Sequence, residues 1–184
     1  MVDSASITNR AAAQIGAQAT VTGAVPNLTG GGAVSGYANT LYQGVVEMLL
    51  RDADWEFSRT TAPLAVTGNV PLEPWQFEYE YPTDCLKIRQ ITPATLSTLD
   101  PQPVQWSVAE RASGKVIGCN IINAQIVYTT NAAAENEWDP MFQETVVRML
   151  ASELSMAGVG RPDFSRVMLG QSASIMQSGQ GKDS

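Results

Sequence analysis

From Ser4 to Gly16 the apolar positions Ile7, Ala11 and Ile15 recur at helical spacing, which predicts a short helix capped by Asp3 or Ser4 and stopped at Gly16. Residues 18–35, QATVTGAVPNLTGGGAVS, lose that period and are punctuated by Gly, Thr and Pro. They read as an exposed loop, ordered by a partner if at all. A stronger helix follows in GYANTLYQGVVEMLLRDADW, with Tyr37, Leu41, Val45, Met48 and Leu49 as its core-facing stripe.

After Trp55 the period falls to two. FSRTTAPLAV, WQFEYEY, CLKIRQI, VQWSVA, KVIGCNI and AQIVYTT are extended runs joined by turn residues, which predicts an antiparallel sheet or small barrel. Pro82 removes a ladder donor and so belongs at a strand end. Helical spacing returns at Trp138-Asp139-Pro140, where Asp139 caps and Pro140 takes the first helical position. Phe142, Val146, Met149, Leu150 and Leu154 carry the stripe to a stop at Gly158, and Glu144 and Arg148 form an i,i+4 pair. A fourth helix, DFSRVMLGQSASIMQ, follows Pro162 and bears Phe164, Val167, Met168 and Ile175.

This order predicts an α+β fold. A helical core built from both chain ends, residues 1–56 and 136–178, carries an inserted antiparallel β lobe of about six strands over 57–135, and residues 179–184 form a flexible tail.

Composition narrows the class. The 184 residues are 44% hydrophobic and 16% charged, which fits a folded soluble protein, and no window has the ~18 uninterrupted apolar residues of a membrane span. The start MVDSASITNR lacks the basic region of a signal peptide, so the chain is expected to be made and kept in a cytoplasm. Cys85 and Cys119 are too few for a disulfide scaffold and read as small buried thiols. A net charge of −7 with no basic cluster argues against ordinary phosphate binding.

Chemistry is sparse. The chain has no histidine, which removes the usual general base, the Ser-His-Asp and Cys-His nucleophile systems and the commonest zinc ligand. Glu78 and Glu80 share one face of a strand opposite the aromatic rings, where a solvated surface is the plain reading and an acid–base pair the sharper one. Asp52 and Asp54, at a helix end, point apart. Gly30-Gly31-Gly32 is no phosphate loop, because no Gly-Lys-Ser/Thr follows. Ser113-Gly114-Lys115-Val116 lacks the metal-binding hydroxyl. Trp75, Phe77, Tyr79 and Tyr81 would suit base stacking, but without interleaved Lys or Arg they read as the buried face of the sheet. The expectation is a protein that is not an enzyme, with no cofactor and no metal.

Five stretches, in order, resemble the head-to-tail adaptor proteins of tailed bacteriophages, in particular the tail tubular protein A family of short-tailed phages. They are ITNRAAAQIGAQ; LLRDADWEFSR with Leu49, Leu50, Arg51, Trp55 and Phe57; WQFEYEYPTDCLKI, an aromatic strand ending in Pro-x-Asp-Cys-Leu; IVYTTN; and WDPMFQETVVRMLASELS. Together they span most of residues 5–160. The structural signature of the resemblance is Trp55, Phe57, Trp75, Tyr79, Tyr81, Pro82, Asp84, Cys85, Trp138 and Pro140.

The resemblance implies a ring of about twelve copies at the head–tail junction of a virion, assembled in the host cytoplasm. Its partners would be further copies of itself, the portal protein and the next tail protein, a nozzle or tail tube. DNA would pass through the channel without sequence-specific binding, and no membrane is involved. Gly30, Gly31 and Gly32, with Arg161, Phe164, Met168, Ile175 and Met176, are the expected portal or neighbour contacts. A head-completion or tail-completion ring of a long-tailed phage or gene transfer agent is the alternative; a small hydrolase or carbohydrate-binding domain is the remote one.

Overall fold

The computed structural model describes residues 2–94 and 104–159. The expected fourth helix and tail, with Arg161, Phe164, Met168, Ile175 and Met176, lie outside the described residues. The fold is mixed α+β, and the described chain divides into two units, residues 2–57 with 133–159 and residues 58–132.

The first unit contains three helices. Helix α1 (Ser4–Gln14) begins with a reciprocal cap, in which the Asp3 carboxylate accepts from the Ser6 N–H and the Ser6 hydroxyl accepts from the Asp3 N–H. Ile7, Ala11 and Ile15 are fully buried, and Gly16 takes the left-handed conformation at φ 71°. Helix α3 (Pro140–Met156) starts as its sequence dictates, with Asp139 Oδ1 accepting from Met141 N at 2.7 Å and Pro140 at the first helical position. Phe142, Val146, Leu150 and Leu154 are fully buried, and so are Thr145, Val147, Ala151 and Ser152, so α3 is covered on nearly every side.

Helix α2 (Ala33–Asp52) departs from expectation. It starts at Ala33, inside the stretch read as loop, and its buried residues are Val34, Ala38, Tyr42, Val45, Val46, Leu49 and Leu50. Tyr37 and Met48, expected in the core, are 42% and 46% exposed. Val45 and Leu49 of the expected stripe are buried, so the packed face of α2 is turned from the expected one rather than opposite to it.

Residues 18–35 are likewise not a featureless loop. Strands β1 (Val21–Thr22) and β2 (Thr29–Gly30) form a small antiparallel hairpin with Val21 and Leu28 buried. Asn9 on α1 donates to the Val21 carbonyl and accepts from the Val21 N–H, and Asn39 on α2 does the same for Leu28, all at 2.8–3.0 Å. Each amide replaces both strand partners that a two-residue ladder cannot supply. The hairpin is therefore ordered by its own chain.

The second unit contains β3 (Arg59–Pro63), β4 (Phe77–Glu80), β5 (Cys85–Pro93), β6 (Trp106–Arg111), β7 (Gly114–Cys119) and β8 (Ala124–Thr130). Instead of one sheet or a barrel they form two antiparallel sheets of three strands, ordered β3-β8-β5 and β4-β7-β6. Tyr79, Ile91, Ile117, Cys119, Ile126 and Tyr128 make the centre of its core. Pro82 stands between β4 and β5, where its missing N–H breaks no ladder bond.

Candidate functional site

Gly30, Gly31 and Gly32, expected as contacts to a neighbour, also have a role within the chain. All have positive φ, 78°, 65° and 60°, and together they turn the chain from β2 into α2. A Cβ on Gly30 would stand 2.7 Å from the Thr20 carbonyl oxygen, and one on Gly31 2.7 Å from a Val21 methyl. Close approach of residues 30–31 to residues 20–21 requires both.

The aromatic residues of the signature close off the core of the first unit. Trp55, Phe57 and Trp138 surround Phe142, with ring centroids 5.1, 5.0 and 4.9 Å away. Trp55 Nε1 donates to the Leu49 carbonyl and Trp138 Nε1 to the Ala133 carbonyl, so both indoles are satisfied at one end of α3.

The Pro-Thr-Asp-Cys stretch is a turn tied across the sheet. Cys85 N donates to the Pro82 carbonyl at 3.1 Å, and the Asp84 carboxylate accepts from the hydroxyls of Tyr128 and Thr130 on β8 at 2.8–3.2 Å. Burial first, and then the hydrogen bond and charge of Asp84, push the Tyr128 hydroxyl up to about 12. Cys85 and Cys119 are buried and form no disulfide, and burial pushes the Cys119 thiol up. Cys119 is therefore not a poised nucleophile.

Glu78 is not on a solvated face. It is 2% exposed, whereas Glu80, two residues on, is exposed as expected. The Glu78 carboxylate accepts from Arg111 Nε and Nη2 at 3.1 and 2.7 Å, from the Thr67 hydroxyl at 3.1 Å and from the Asn69 amide at 3.5 Å. The Arg111 hydrogen bonds outweigh desolvation and hold the carboxyl below its ordinary range. Arg111 Nη2 also donates to the Val70 carbonyl at 2.6 Å. One buried ion pair thus fixes residues 67–70 onto β4 and β6, 33 residues apart in the chain.

Trp75 is also displaced from its expected position. It precedes β4 in a turn, where its N–H donates to the Leu72 carbonyl, so the alternation that places Phe77 and Tyr79 in the core does not extend to it. Its ring covers Gly118 on the other face, leaving no room for a Cβ there, and its Nε1 donates to the Ser107 hydroxyl at 2.6 Å. Trp75, Glu78, Ser107 and Val116 line a cleft of about 230 Å³. Glu78 already accepts four hydrogen bonds, which leaves exposed Glu73 as the other carboxylate lining the cleft.

Among the described residues no group of three or more His, Cys, Asp and Glu side chains could hold a metal ion, and no helix is long and apolar enough to cross a membrane. No protein-family model matches the chain, and no curated protein matches it. Sequence reasoning missed the Glu78–Arg111 pair and the two asparagine clamps. The pair had no local signal, whereas Asn9 and Asn39 each stand beside the buried face of a helix, where a polar side chain invites the search for a backbone partner.

Proposed function

We propose that this chain is a head-to-tail adaptor of a tailed bacteriophage, a non-enzymatic structural protein that forms a ring between portal and tail and lets DNA pass. The reading in full is a helical core from both chain ends carrying an inserted β lobe, with further copies, the portal and the next tail protein as partners at the head–tail junction. The observation that carries it is the placement of the signature: Trp55, Phe57, Trp138 and Pro140 gather at one end of α3, and Asp84 ties its turn to β8.

These residues serve a scaffold, and the one buried carboxylate of the cleft, Glu78, is taken up by its ion pair with Arg111. The charge is compatible with a conduit, since a ring of about twelve chains of −7 each repels a polyanion and lets it slide. Negative-stain electron microscopy of the purified chain, alone and with its cognate portal, tests the proposal. Rings of uniform size in either preparation are expected. A chain that stays monomeric in both overturns it.

A further inference from the structure

The cleft of about 230 Å³ opens on the face of β4-β7-β6 turned away from the core. There Glu78, Gly118 and Ser107 stand in one row of the register, and Glu80, Val116 and Ala109 in the next. Leu72, Glu73 and Trp75 wall it from the turn before β4. That wall is fixed at both ends. Trp75 N donates to the Leu72 carbonyl at 3.0 Å and Trp75 Nε1 to the Ser107 hydroxyl at 2.6 Å, while the Glu78–Arg111 pair holds Thr67, Asn69 and Val70 in the chain leading to it. A cleft whose wall is already ordered gives up little entropy when a ligand enters.

The polar groups left over define what fits. The indole N–H is given to Ser107, and the Arg111 guanidinium to Glu78 and the Val70 carbonyl. Glu78 accepts at both oxygens. There remain the Glu73 carboxylate, exposed and without a partner among the described residues, and the Ser107 hydroxyl, which accepts from Trp75 and keeps its own proton to donate. Glu78 and Glu80 on this face, with Glu73 at its rim, outnumber Arg111, the one cation these three strands place there. Such a field repels an anion and draws in a cation. Leu72, Trp75, Ala109 and Val116 supply an apolar lining for a methylene stem, and an indole attracts a positive charge. The volume lies below the ~300–1,000 Å³ of pockets that hold drug-sized molecules, so the occupant is a group of side-chain size.

We propose that this cleft binds an alkylammonium group, its nitrogen on the Glu73 carboxylate and its stem against Trp75, Ala109 and Val116. Two sources carry that chemistry, the lysine side chain of a partner protein and a free aliphatic amine. The Ser107 proton separates them, because a lysine residue brings a peptide carbonyl to accept it and a free amine does not. The site goes beyond the ring reading and does not depend on it.

The test titrates the full chain with n-butylamine and follows the Trp75 indole and Gly118 amide resonances in two-dimensional NMR spectra. Saturating shifts are expected below about 0.1 M amine, with n-butanol binding about fivefold more weakly and butyrate not binding. Glu73→Gln should weaken the amine about fivefold, and Glu110→Gln, on the opposite face of β6, less than about twofold. Both positions are exposed, and circular dichroism checks that each variant is folded. Raising salt from ~20 to ~500 mM should weaken n-butylamine and leave n-butanol unchanged. N-acetyl-lysine methylamide binding more tightly than n-butylamine supports the site with a partner's lysine as occupant; equal or weaker binding supports it with a free amine. Equal affinity for n-butanol and n-butylamine, equal amine affinity in wild type and Glu73→Gln, or no shift at the two resonances overturns the proposal. None of these results touches the ring reading, which electron microscopy decides.

Discussion

The two units solve one problem, the buried polar group, by different chemistry. In the helical unit the solution is neutral: Asn9 and Asn39 each bond both backbone groups of one hairpin residue. In the β unit it is ionic, with Glu78 paired to Arg111 and the Asp84 carboxylate accepting from Tyr128 and Thr130. A neutral clamp is indifferent to pH, whereas a buried carboxylate ties local stability to its protonation. In the β unit, acid pH and charge substitutions should therefore act through these carboxylates.

The largest effect is expected at Glu78. Glu78→Gln keeps the shape but leaves the Arg111 guanidinium, only 28% exposed, without a counter-charge, and should destabilise the β unit by about 3 kcal/mol. Hydrogen exchange should rise in residues 65–75 and in β4 and β7, with protection in α1 and α3 unchanged. The pH dependence has a definite sign. Because the folded-state value of Glu78 is lowered, its contribution is complete above the ordinary carboxylate value of about 4.3 and is lost as pH falls through the folded value. Wild type should lose stability over that acid window, and Glu78→Gln should lose less. Equal acid slopes in the two proteins would remove Glu78 from the account.

The second effect separates the neutral clamps from the ionic ones. Asn9→Ala strips both hydrogen-bond partners from Val21, which is 1% exposed and cannot turn to water. The loss should be about 2 kcal/mol, read by urea unfolding, and constant from pH 4 to 9. Exchange should quicken at Val21 and leave the β unit untouched. A pH-dependent loss would mean that the hairpin is held by something other than the amide.

How far the sequence discloses these arrangements depends on the range of the contacts that make them. The starts of α1 and α3 are legible because Asp3 with Ser6, and Asp139 with Pro140, act within four residues. The buried stripe of α2 is half legible: Val45 and Leu49 are buried as their spacing predicts, but Tyr37 and Met48 lie at the same spacing, and only packing against other elements selects Val34, Ala38 and Tyr42 in their place. Period-2 alternation places Tyr79 correctly but fails at Trp75, which stands in a turn before the strand begins, and at Glu78, whose counter-charge is 33 residues away. The turn at Asp84 is half legible: Pro82 marks its position, while the hydroxyls that hold it come from β8.

The smallest effect, and the one that isolates the signature turn, is expected at Tyr128. Tyr128→Phe removes one donor to Asp84 and leaves the Thr130 hydroxyl at 2.8 Å, so the carboxylate keeps a partner and the loss should be about 1 kcal/mol. Its sign with pH is opposite to that of Glu78. Tyr128 is raised from its ordinary 10.0 to about 12, so the unfolded chain ionises first as pH rises, and the contribution is present below pH 10 and fades between 10 and 12. Wild type should lose more stability than Tyr128→Phe across that alkaline interval, measured by chemical denaturation. The two should run parallel between pH 6 and 9. If the phenylalanine variant shows the same alkaline loss as wild type, ionisation of Tyr128 is not the source of that loss.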